Sequence, residues 1–97
     1  MPVYQNSKMD SYYDDGSEDD LNYPCEVKIE GNAIAVSYQE EDRSPTLYQG
    51  KEIEGLFRLE AINGNGTATL RLVSENALEG RWREGADTGR WHIELEE

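Results

Sequence analysis

Five carboxylates fall within the fourteen residues SYYDDGSEDDLNYP (11–24), with no Lys or Arg among them. Asp14, Asp15, Glu18, Asp19 and Asp20 surround Gly16, and carboxylate oxygens are the ligands calcium prefers. A calcium loop takes its oxygens from alternating positions with a distal Glu, as in D-x-[DN]-x-[DN]-G. The segment DDGSEDD has that composition without that spacing, so no metal is assigned to it. A block of like charges of this kind behaves as a solvated arm or as a patch that meets a partner. Glu40, Glu41 and Asp42 offer the same chemistry further along the chain.

Other reactive side chains are few. His92 is the only histidine, and acid–base or metal chemistry would need a second group beside it that the sequence does not nominate. Cys25 is the only cysteine, which excludes an internal disulfide; as a nucleophile it would need a basic neighbour. Nucleophile-elbow, phosphate-loop and H-E-x-x-H patterns are missing. The sequence therefore nominates no catalytic residue and no cofactor, and it points to binding rather than catalysis.

The elements that must carry these residues follow a period of two from Cys25 onward, the mark of strands with one buried face. CEVKIE alternates Cys25, Val27 and Ile29 with Glu26, Lys28 and Glu30. Folding the chain about Gly31-Asn32 sets Ile29 opposite Ile34, Val27 opposite Val36 and Cys25 opposite Tyr38. By the same rule Phe57 is expected to face Leu72, Leu59 to face Leu70, Tyr48 to face Phe57 and Trp82 to face Trp91. The spacing predicts strands over 25–30, 33–39, 46–50, 55–62, 67–73, 77–83 and 89–95, with almost no helix. An all-β antiparallel meander of seven to eight strands hides its apolar face in a barrel or a sandwich. The barrel is favoured, because Gly55, Gly80 and Gly89, each two residues before an aromatic ring, supply places for coiled strands to bend. The chain divides into an acidic arm over 1–24 and a barrel over 25–97, with Asp10 to Tyr13 available as an eighth strand against the last one. Trp82, Trp91, Tyr38, Tyr48 and Phe57 all fall on the inward parity, where they fill the core or line a small-ligand site.

The C-terminal LEGRWREGADTGRWHIEL resembles a MORN-type hairpin, Y-x-G-x-W-x-x-G-x-x-x-G, with Leu78 in place of the tyrosine and Gly80, Trp82, Gly85 and Gly89 matching. The same ending is similar to small uncharacterised bacterial β-barrel domains. Both resemblances imply a β-hairpin, and neither carries a catalytic residue to this chain.

Charge narrows the class of partner. The chain has 21 acidic and 9 basic residues, a formal net charge of -12. Six acids and one base lie in 1–24, and fifteen acids and eight bases in 25–97, so the charge is not confined to one end. Such a balance disfavours direct nucleic-acid or anionic-membrane binding and favours basic partners. No apolar run approaches the length of a membrane span, and the start MPVYQNSK lacks a hydrophobic leader, so a soluble, cytoplasmic protein is expected. The leading expectation is an acidic, non-enzymatic interaction or inhibitor protein. It would dock on a basic surface of a partner protein, one that normally holds nucleic acid, and mimic the phosphate backbone. Its contacts would be Asp14, Asp15, Glu18, Asp19 and Asp20, with Glu40, Glu41 and Asp42. The alternative is a small-ligand-binding barrel with an aromatic interior that uses Trp82 and Trp91.

Overall fold

A computed structural model describes residues 3–39 and 45–97. Eight strands run in chain order: β1 (Val3–Tyr13), β2 (Asp20–Glu30), β3 (Ala33–Gln39), β4 (Pro45–Ile53), β5 (Leu56–Ala61), β6 (Gly66–Ser74), β7 (Ala77–Glu84) and β8 (Asp87–Glu94). Each pairs antiparallel with the next, and β1 pairs with β8, so the sheet closes on itself as an up-and-down barrel. Closure leaves no free sheet edge. Among the described residues there is no helix, and hence none long and apolar enough to cross a membrane.

Alternation decides what goes inside. Along β5 and β6, Phe57, Leu59, Ala61, Ala68 and Leu70 are buried, while Arg58, Glu60, Thr67 and Thr69 between them are exposed. Val27 and Val36 are opposite each other and fully buried, as are Leu78 and Ile93. Trp82 and Trp91 point inward together, at 5% and 3% exposure. The interior is thus one continuous apolar column, the term that dominates stability in a domain of this size.

Register matches expectation in β2–β3, where Ile29 faces Ile34 and Val27 faces Val36. Three other hairpins close elsewhere. Tyr48 faces Ala61 rather than Phe57, because the turn is the pair Glu54-Gly55, both left-handed (φ 53 and 85), which lets β4 and β5 stay paired out to Ile53 and Leu56. Phe57 faces Leu70 and Leu59 faces Ala68, because the loop is 62–65 with Gly64 left-handed at φ 78. Leu72, the expected partner of Phe57, lies past the start of β5 and is 48% exposed. Trp82 faces Gly89 rather than Trp91, since Gly85 (φ 59) starts a two-residue turn closed by the pair Glu84 and Asp87. Each slip is an even number of residues, so the inward parity is kept, and of the residues in the expected core pairs only Leu72 is exposed.

Gly80 and Gly89 do sit where strands crowd, whereas Gly55 is a turn residue; Gly50 in β4 and Gly66 in β6 are crowded too. The acidic arm expected over 1–24 is mostly barrel. Residues 3–13 are β1, which pairs Asp10 with His92 and Tyr13 with Gly89, and Asp20 to Pro24 open β2. Only 14–19 connect the two strands. The β1–β2 ladder is irregular beside this connection: Asn22 is left-handed (φ 57), and its N–H donates to Asp10 Oδ1 at 2.8 Å.

Candidate functional site

In an up-and-down barrel the connections alternate between the two ends. At one end the β1–β8 seam continues past β8: Asn6 N–H donates to Glu96 O at 2.9 Å, and Glu96 N–H donates to the buried Ser7 hydroxyl at 3.0 Å. The other end carries the 14–19 and 62–65 connections and the Gly85-Ala86 turn. Here the aliphatic column stops and an aromatic layer begins, under a cavity of about 570 Å³.

Trp82 and Trp91 form the buried layer of this cavity, stacked with centroids 6.4 Å apart and planes at 27°. Tyr13 meets Trp82 edge-on at 5.3 Å, and Tyr38 meets Trp91 edge-on at 6.4 Å. Tyr23 stands edge-on to Tyr38 at 5.8 Å. Such edge-to-face contacts fix ring orientation as well as adding area. Beneath them Tyr48, fully buried, lies edge-on to Trp91 at 5.1 Å.

Three carboxylates share the cavity wall: Asp20, Glu84 and Asp87. Glu84 continues the inward row of Leu78 and Trp82, so its side chain is half-buried. The Tyr48 hydroxyl donates to Glu84 Oε1 at 2.5 Å, and the Tyr38 hydroxyl lies 3.4 Å from the same oxygen. Gly66, directly opposite Glu84, makes this possible: a Cβ there would stand 2.1 Å from the Tyr48 hydroxyl oxygen. Asp87 is the cross-strand partner of Glu84, which puts two carboxylates side by side at the mouth. Asp20 accepts from the Tyr13 hydroxyl at 2.6 Å. No Lys, Arg or His lines this cavity among the described residues.

Compared with family models, curated proteins and solved structures, the chain returns no match. Geometry alone therefore carries the functional reading.

The structure separates the nominated acids. Asp14 is held by Arg81 and by the Thr88 hydroxyl at 2.7 Å, so it locks the β1–β2 connection onto β7 and β8. Asp15 accepts from Ser17 N–H at 2.9 Å, and hydrogen bonding to Ser17 holds its carboxyl below the usual range. Glu18 and Asp19 are exposed in the connection, and Asp20 enters the cavity. Glu40, Glu41 and Asp42 lie outside the described residues. Glutamates on the outer wall alternate with bases: Lys28 Nζ sits 3.6 Å from Glu26 Oε1, and Glu94 faces Lys8 across the strands. Outward-facing His92 has Glu79 opposite, 3.4 Å away. Among the described residues no group of three or more His, Cys, Asp and Glu is placed to hold a metal ion.

Sequence reasoning missed Tyr13, Glu84 and Asp87. The parity that places Trp82 and Trp91 inside also aims Glu84 and Asp87 toward the cavity, Glu84 half-buried and Asp87 exposed at its mouth, but both flank a turn, where a charged residue reads as solvent-facing.

Two groups give the protein an alkaline limit. Burial, and then the hydrogen bond and charge of Asp20, push the Tyr13 phenol up to about 12. Burial alone pushes the Cys25 thiol up to about 12 from 9.0. Both are therefore kept protonated by folding. The stability they add is intact below the unfolded values and is lost as pH rises toward 12. Urea midpoints should fall from about pH 9 upward; Cys25→Ala should remove the earlier part of the decline and Tyr13→Phe the part that begins near pH 10. A midpoint flat to pH 11 in the wild type would contradict this placement of both groups.

Proposed function

We propose that this protein is a non-catalytic binding barrel that takes a small ligand into the aromatic, carboxylate-bearing cavity at its open end. The observation that supports this best is the cavity itself: about 570 Å³, with five rings and three carboxylates on its walls, inside the size range of small-molecule sites. A purely structural core would bury apolar rings and leave the acids outside; here Glu84 is turned inward and held by tyrosine hydroxyls. The chain's two tryptophans both line the cavity, so intrinsic emission reports on this site. A library of small polar and charged compounds should contain members that shift that emission and raise the melting temperature by several degrees, as binding to the folded state alone requires. A library that moves neither signal counts against the site.

A second reading, docking on a basic surface of a partner protein, draws on the exposed Glu18 and Asp19, which sit beside Asp20 at the same end of the barrel. Asp14 and Asp15 contribute less to it, being engaged in holding the connection together.

A further inference from the structure

We infer that the ligand is an organic cation, an alkyl or quaternary ammonium whose charged head sits among the rings with Glu84 as its counter-ion; this rests on the small-ligand reading above. Ligand classes are separated by what the walls would do to them. An anion would meet Asp20, Glu84 and Asp87, and among the described residues of the lining no cationic side chain receives it. A neutral apolar ligand would strip water from those carboxylates and return nothing. A bare metal ion needs several oxygen or nitrogen ligands converging on one point, and no such group of side chains occurs among the described residues. An organic ammonium avoids all three penalties: it carries the complementary charge, is attracted to aromatic rings and, when quaternary, gives up its weak hydration at little cost. The wall offers a connected cluster of rings, Tyr13 against Trp82 and Tyr38 against Trp91. Glu84 is fixed by the hydroxyl of Tyr48, so its charge does not have to be oriented when the ligand arrives. A net charge of -12 concentrates cations around the whole molecule before any contact is made.

The test compares two probes of the same shape on the full chain: choline and its neutral isostere, in which carbon replaces the quaternary nitrogen. Titration followed by tryptophan emission should give choline an affinity at least about tenfold higher, with the difference shrinking as salt is added. Glu84→Gln should lower choline affinity by about tenfold and leave the isostere unmoved, and glutamine can still accept from Tyr48 so the fold is kept. Equal binding of the two probes, or choline that leaves emission unchanged at millimolar concentration, overturns the cation assignment. The small-ligand reading is judged separately, by whether any compound of the library shifts emission. The probe comparison needs no variant, so it decides the matter even if Glu84→Gln fails to fold.

Discussion

Replacing Gly80 with alanine should cost the barrel upward of about 4 kcal/mol, at the exceptional end for a single substitution, and leave little folded protein at 37 °C. A Cβ at Gly80 would stand 1.8 Å from the Thr69 carbonyl oxygen, 2.7 Å from its carbon and 2.8 Å from the Leu70 Cα. All three are backbone atoms of β6, so no rotamer change relieves the contact; the β6–β7 ladder itself must part. Gly50 stands in the same position against Arg58, with a Cβ 1.7 Å from the carbonyl oxygen, and Gly50→Ala should be as damaging. Gly64→Ala is the control, because a Cβ there meets nothing within 4 Å and only its left-handed backbone (φ 78) resists the change, at about 1–2 kcal/mol. Urea denaturation of the three variants checks the order. A Gly80→Ala barrel as stable as Gly64→Ala would mean the strands are not coiled this tightly.

The second large effect is expected at Trp91. Trp91→Ala should lose about 3–5 kcal/mol, since the ring is 3% exposed and contacts Trp82, Tyr38 and Tyr48 at once. Gly80 is its cross-strand partner and has no side chain with which to fill the space. Trp91→Phe should keep most of the packing and lose roughly a third as much, while still enlarging the cavity. Thermal and urea unfolding measure both losses, and the remaining Trp82 emission should shift to the red in Trp91→Ala as water reaches it. A Trp91→Ala loss below about 1 kcal/mol would remove Trp91 from the core. These two positions are coupled, so the double variant should fall short of the sum of the singles.

Several features follow from the order of residues alone. Alternation along CEVKIE, LFRLEA and TATLRLV sorted inward from outward except at Leu72, which β6 carries past the start of β5, because the pleat turns successive side chains to opposite faces whatever the rest of the chain does. Gly31-Asn32 fixed the β2–β3 register for an equally local reason. Register in the other hairpins was not legible to the residue. Glu54, Gly55 and Gly85 take left-handed backbone at positions that several neighbouring turn residues could have filled. Because faces repeat every second residue, those even slips left the core intact and altered only who sits opposite whom.

The cavity was beyond such reasoning. Tyr48 and Glu84 are separated by 36 residues and Asp14 and Arg81 by 67, and no local period relates them. They meet because β1 pairs with β8, which turns a strip into a ring and brings residues from strands far apart in sequence to one mouth. Whether an acid such as Asp20 faces a ligand or water depends on that closure, and so does whether Asp14 is a free charge or a clasp. The chain's own residues therefore determined the strands, the buried set and the negative surface. Tertiary structure decided which carboxylates are spent holding the barrel together and which are left to face the cavity, since only a closed sheet sets the distances across its own interior.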